Sequence, residues 1–253
     1  MSNLRNSFPD RSEKELISIR NKFYNYLADV MVESIRLFSM PTEELRRRFT
    51  FTNPEVLNDV FDRGKHAVLT TSHYGNWEMA ACAVSMFMKH TINAPYTPLN
   101  NTWMNDKFTK SRTRHGTVIT PKKQFKKWMR EEFQHVDRPH ALTFIADQSA
   151  TYSKNVYWMK FLHQETAVMF GSELFAKEHN IPFVMAKMQL ISRGHYECEL
   201  ELVCEESAST PHGFITEAHT RRLEQWIHER PELWLWTHRR WKRKRKPEEV
   251  LAE

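Results

Sequence analysis

The sequence predicts an α/β protein: a mixed sheet flanked by helices, preceded by an N-terminal amphipathic helical segment. Three observations carry that expectation. Short apolar runs alternate with stretches of helical periodicity, the pattern of strands interleaved with helices. Glycine is scarce, with six residues in 253, so tight turns are few. A long amphipathic pattern precedes the first apolar run.

That pattern opens at Ser12 and Glu15, a capping-box pair. Leu16, Ile19, Phe23, Tyr26, Leu27, Val30, Met31, Leu37 and Phe38 follow at helical spacing, up to Pro41. Such a helix packs on a core or lies on a membrane, and the two are compatible. Asn53-Pro54 starts a shorter helix that ends near Gly64. Residues 1–64 are therefore expected to be a helical segment packed on an α/β domain spanning 65–253.

Within that domain, His66 to Ser72 (HAVLTTS) reads as a buried strand and Asn76 to about Lys89 as a helix. Thr117 to Thr120 and Ala141 to Ala146 read as strands, separated by a basic helix around Gln124 to Phe133. Val168 to Glu178 reads as helix, Phe183 to Leu190 as strand, and Phe214 to Arg230 as a helix stopped by Pro231. In Tyr196 to Cys204, apolar residues alternate with Glu197, Glu199 and Glu201, which marks a half-exposed strand.

Composition excludes several classes. No stretch reaches the roughly 18 apolar residues of a membrane-spanning helix, and no signal peptide is visible. The three cysteines, Cys82, Cys198 and Cys204, have no metal-like spacing and fit a reducing compartment. The net charge of +6 is local. Seven cations lie between Arg239 and Lys246, and the rest of the chain is nearly neutral. Such a tail seeks phosphates, an acidic protein or an anionic membrane.

His73 and Glu78 are the candidate chemical pair. They lie on the turn after a strand, where ligands of α/β sheets gather. A histidine there suits general-base work on a hydroxyl, and a carboxylate one helical turn on can bond its other ring nitrogen. Gly75 allows a tight turn. Spacing alone also fits ordinary hydrogen bonding. HYGNWE is not the HExxH of a zinc site, and no Gly-x-Ser-x-Gly elbow surrounds Ser72, so neither a metal nor a cofactor is expected.

HYGNWE, His73 to Glu78, resembles the His-x4-Asp/Glu block of the glycerophosphate and lysophospholipid acyltransferase superfamily. More closely, it resembles the bacterial late acyltransferases of lipid A biosynthesis. Other segments agree in order: RTRHG at Arg112 to Gly116, Ala146-Asp147-Gln148, FLHQETAVMFG at Phe161 to Gly171, and WTHRRWK at Trp236 to Lys242. The resemblance covers nearly the whole chain. It implies a glycerophosphate-acyltransferase-like fold and direct attack of an acceptor hydroxyl on an acyl thioester. His73 would be the base, with Glu78 orienting and charge-stabilising it. Asn76, Arg112, Arg114, His238, Arg239 and Arg240 would contact substrate: Arg112 and Arg114 the acceptor phosphate, and His238, Arg239 and Arg240 either that phosphate or an acidic carrier protein. A solvated helix face is the other reading of Arg112 and Arg114. Asp147 and Gln148 would shape the pocket or orient neighbours, or serve as structural hydrogen-bond partners. Thr166 and Gly171 would allow close packing. Trp234, Trp236 and Trp241 belong either at a membrane interface or in the core.

The resemblance also implies partners: acyl carrier protein, or acyl-coenzyme A, as donor, a phosphorylated glycolipid as acceptor, and an anionic membrane surface. The basic tail would dock the acidic carrier or lipid headgroups. The expected location is the cytoplasmic face of the bacterial inner membrane. Family members usually begin with a spanning helix, and Asn3 to Asp10 (NLRNSFPD) resembles a segment that follows it. The expectation is thus either a missing anchor or peripheral attachment through the first long helix and the tail. Other acceptors, a lysophospholipid or an amino-acid lipid, share the same motif. The competing class is a nucleic-acid-binding module built on the basic aromatic tail, but no nucleic-acid fold signature supports it.

Overall fold

A computed structural model describes residues 1–150 and 154–252. Its helices are α1 (Ser2–Ser7), α2 (Glu13–Arg36), α3 (Thr42–Arg48), α4 (Glu55–Asp62), α5 (Trp77–Ala83), α6 (Thr102–Thr113), α7 (Lys122–Glu131), α8 (Gly171–His179) and α9 (Phe214–Glu229). Its strands are β1 (Phe49–Phe51), β2 (Ala67–Thr71), β3 (Thr91–Tyr96), β4 (Val118–Pro121), β5 (His140–Ile145), β6 (Val156–Phe161), β7 (Gln164–Met169), β8 (Phe183–Ser192) and β9 (His195–Cys204). Seven strands form one sheet in the order β1-β9-β8-β2-β5-β3-β4. β2, β3, β4, β5 and β8 run parallel; β9 runs against β8, and β1 is parallel to β9. The expected mixed sheet is present. β6 and β7 form a separate antiparallel hairpin.

The central strand explains the two-sided core. β2 is apolar and covered on both faces, as a parallel strand between helices must be. Val68 joins Leu142, Phe183, Phe125 of α7, Phe175 of α8 and Ile215 of α9. Its neighbours Ala67 and Leu69 point the other way. They join Leu16, Ile19 and Phe23 of α2 and Met79 and Cys82 of α5. The N-terminal segment thus shares the main core, and β1 within it pairs with β9 at the sheet edge.

α2 begins with the capping box read from the sequence: Ser12 Oγ accepts from Glu15 N–H, and Glu15 Oε2 accepts from Ser12 N–H at 2.8 Å. Leu16, Ile19, Phe23, Tyr26 and Val30 are buried, whereas Met31 is 61% exposed. Two helices differ from expectation. α5 ends at Ala83, short of Lys89, in a single 3₁₀ turn at Val84–Met86. α8 starts at Gly171, because Val168 and Met169 are committed to β7 and pair with Tyr157 and Val156 of β6.

The C-terminal segment is laid along the turn after β2. Gly75 N–H donates to Leu233 O at 3.1 Å, and Leu235 N–H donates to His73 O at 3.1 Å. Tyr74 and Trp234 form an antiparallel bridge there. Gly75 makes this possible with φ +74°, and a Cβ on it would lie 2.6 Å from Met188 Cβ of β8. Gly64 has a similar φ of +70° but open space around it. Gly75→Ala therefore combines left-handed strain with overpacking and should cost roughly 2–5 kcal/mol, against about 1–2 kcal/mol for Gly64→Ala. Urea denaturation of the two variants reads the difference.

Candidate active site

The site is set by strand register. β2 and β5 are adjacent and parallel, with Thr71 opposite Ile145. His73 and Asp147 each lie two residues beyond that pair, so both strands release a functional side chain at the same height of the sheet. Asp147 Oδ1 lies 2.9 Å from His73 Nδ1, and Asp147 Oδ2 accepts from the His73 backbone N–H, also at 2.9 Å. Trp234 Nε1–H donates to Oδ2 at 2.9 Å. Asp147 is buried.

These contacts decide the electrostatics. Burial alone pushes the Asp147 carboxyl up. The charge of His73, with hydrogen bonds from His73 and Trp234, outweighs burial and holds it below the usual carboxylate value. For His73, burial favours the neutral ring, but the Asp147 charge, its hydrogen bond and the Glu78 charge together raise the pKa above 6.5, against an opposing Lys122. Nδ1–H donated to Asp147 leaves Nε2 as the basic nitrogen. The Gln148 amide nitrogen lies 3.2 Å from Nε2, and the Trp77 ring meets the imidazole edge-on at 5.2 Å.

Glu78 does not make the hydrogen bond that its spacing suggests. It sits in the first turn of α5, which packs on α6, and Arg112 of α6 takes its carboxylate. Arg112 Nη2 donates to Glu78 Oε1 at 2.7 Å and to Oε2 at 2.8 Å, and Nε donates to Oε2 at 3.0 Å. Glu78 acts on His73 only through its charge. The partner that orients His73 is Asp147, 74 residues away.

Other expected contacts are re-assigned by burial. Asn76 is fully buried and caps α5, accepting from Met79 N–H at 2.9 Å and donating to Glu33 Oε2 of α2 at 2.6 Å. It anchors the turn and cannot meet a substrate. Tyr196 OH donates to the same Glu33 oxygen at 2.8 Å. Arg114 donates to Met40 O at 2.8 Å and to His115 Nε2 at 3.0 Å. His238 Nε2 accepts from Ser149 N–H at 2.9 Å, which ties the C-terminal segment to the loop after Asp147. Arg239 is exposed, but Arg240 is only 3% exposed and donates to Ala167 O at 2.9 Å. A buried guanidinium is not available to an acceptor phosphate.

The tryptophans resolve in the same way. Trp234 and Trp236 are buried, and Trp241 Nε1–H donates to Thr166 Oγ1 at 2.8 Å, so all three serve packing. Trp234 and Glu33 carried no motif; the one signal for Trp234 is that a buried indole N–H needs an acceptor. Among the described residues no group of three or more His, Cys, Asp or Glu could hold a metal. Ser72 is 3% exposed.

A histidine with one nitrogen fixed by a buried carboxylate and the other turned to the sheet's carboxyl edge is built to take a proton from a hydroxyl. The fold and this pair fit a class, the α/β transferases with a histidine able to act as base. A family model described as bacterial lipid A biosynthesis acyltransferase matches residues 1–243. The chain belongs to that family and is an acyltransferase of lipid A synthesis. No curated protein matches it.

Asp147→Asn should lower the His73 pKa by removing the charge that holds the imidazolium. Glu78→Gln should lower it less, because Arg112 already neutralises that carboxylate. Ring-nitrogen NMR titration of the two variants checks the order.

Proposed function

We propose that the enzyme moves a fatty acyl chain from a thioester to a hydroxyl of a lipid A precursor. The observation that carries the reading is the His73–Asp147 pair with Nε2 free of the carboxylate. His73 Nε2 takes the acceptor proton as the hydroxyl oxygen bonds to the thioester carbonyl carbon. The carbon–sulfur bond then breaks, and the thiolate leaves with that proton. Asp147 holds the ring and stabilises the imidazolium, as the carboxylate of a catalytic triad does. The Gln148 amide N–H, beside Nε2, suits the developing oxyanion. The Glu78–Arg112 pair lies close by and shapes the field around the base.

Surface chemistry supports the partners in this reading. α7 exposes Lys122, Lys123, Lys126, Lys127 and Arg130, and Lys122 is felt at His73. Part of the basic tail is used internally: Arg243 pairs with Glu249 and Arg245 with Glu165. Arg239, Lys242, Lys244 and Lys246 remain exposed. α7 and these four residues offer an anionic donor such as acyl carrier protein, or acceptor phosphate, a basic approach. Met31, Val32 and Ile35 of α2 are 60–68% exposed, and Trp103 at the start of α6 is 61% exposed. Such residues suit peripheral contact with a bilayer, and we place the enzyme at the cytoplasmic face of the inner membrane. No helix among the described residues is long and apolar enough to cross a membrane.

Three predictions test this. With acyl-carrier-protein or coenzyme A thioester and a lipid A precursor, His73→Ala should lose about 10²–10⁴ of the transfer rate, and Asp147→Asn a comparable factor. A His73→Ala enzyme of full activity overturns the mechanism. Because His73 must be neutral to act and its pKa is raised, the rate should climb with pH through a value above the ordinary imidazole 6.5. Mass spectrometry of lipid A from cells lacking the protein should show a missing acyl chain; an unchanged pattern overturns the acceptor.

A further inference from the structure

We infer that Arg240 is the buried counter-ion of Asp147 and acts as a positioning residue for the His73 base. Both side chains line one small internal cavity behind the site, with Thr70, Ser72, His219 and Thr220. The cavity has room for roughly one water. Arg240 is 3% exposed and donates from Nη1 to Ala167 O. Among the described residues its Nε–H has no protein partner, and neither does Nε2 of His219, which lines the same cavity.

A guanidinium buried in this way is costly unless an anion compensates it. Asp147 is the one acidic side chain lining the cavity. The other fully buried carboxylate, Glu173, is taken by the backbone N–H groups of Gly213 and Thr216 at 2.7 Å each. His219 lies stacked on Phe183, and burial holds its pKa near 4, so it brings no competing charge. Burial lowers the Arg240 pKa to about 10 while Asp147 opposes the drop, so Arg240 stays cationic near neutrality. A water held by Arg240 Nε and His219 Nε2 would bridge toward the carboxylate that faces the same space.

The consequence concerns His73. The charged and titratable groups around its ring are Asp147 after β5, Glu78 of α5 with Arg112 of α6, Lys122 of α7, and His238 of the C-terminal segment. Arg240 shares the cavity with Asp147. By sharing the carboxylate's charge it limits how strongly Asp147 favours the imidazolium. Without Arg240 the ring would hold its proton to higher pH, and less base would be available at neutrality.

This inference builds on the proposed function, but its test needs no turnover. The His73 ring is titrated by NMR in the wild type, Arg240→Gln and Arg240→Lys. The Gln variant removes the charge and should titrate at higher pH than the wild type; the Lys variant, with its charge retained, should titrate close to the wild type. A folded Gln variant with wild-type titration overturns the proposal. Thermal melts with Asp147→Asn supply the second readout. Asp147→Asn strands a buried cation and should melt on the order of 10 °C lower. Adding Arg240→Gln should recover part of that loss. A double variant that melts no higher than Asp147→Asn overturns the pairing, a comparison that holds also where Arg240→Gln alone does not fold. Absence of acyl transfer alongside the expected titrations and melts would sink the functional reading and leave the counter-ion in place.

Discussion

One buried carboxylate joins three distant parts of the chain. Asp147, just after β5, accepts from the backbone and ring of His73 and from the indole of Trp234. Hydrogen bonds to a charged group contribute about 1.5–3 kcal/mol each, and a carboxylate left alone in that position would cost several kcal/mol. The three donors therefore depend on one another. The same contacts that make the anion tolerable also fix the tautomer of the histidine and the path of the C-terminal segment. Stability and chemistry here share a single electrostatic requirement.

The segment that supplies Trp234 is held from both sides. Trp234 packs edge-to-face against Phe161 and Trp236, and Trp236 Nε1–H donates to Pro231 O at 2.6 Å. Asn3 of α1 donates to Trp236 O and His238 O at 3.0 and 3.2 Å. The first helix and the C-terminal segment are thus stitched together. His238 and Arg240, two residues apart, point to different duties: one to the loop after Asp147, the other into the cavity behind it.

The sequence made local features legible and distant ones opaque. The strand, turn and helix around His73 could be read because their signals lie within a dozen residues, and the α2 capping box is local in the same sense. The orienting role of Asp147 could not be assigned, because it depends on β2 and β5 being neighbours in one particular register. Glu78 stood at a plausible spacing, yet spacing along a helix says nothing of Arg112, 34 residues on, which reaches it from α6. The β6–β7 hairpin was hidden because Val168 and Met169 continue smoothly into helical periodicity at Gly171. The tail read as one basic docking run since charge counts do not show where each side chain goes. Glu165, Glu249 and the Ala167 carbonyl draw Arg245, Arg243 and Arg240 back into the fold.

Alternation along β2 also separates the two kinds of surface that the proposed reaction needs. Val68 faces the layer that holds α7, while Ala67 and Leu69 face the layer that holds α2 and α5. The exposed lysines of α7 and the exposed Met31, Val32 and Ile35 of α2 therefore belong to helices on opposite faces of the sheet. His73 emerges between them, at the carboxyl edge that both faces share. In the proposed reaction an anionic donor or an acceptor phosphate would be drawn to the basic layer, and the acyl chains of an amphiphilic acceptor to the apolar one. The two layers end where His73 stands with Asp147 at its back. In that reading the sheet does more than carry the pair: its two-sidedness would set the directions from which the substrates arrive.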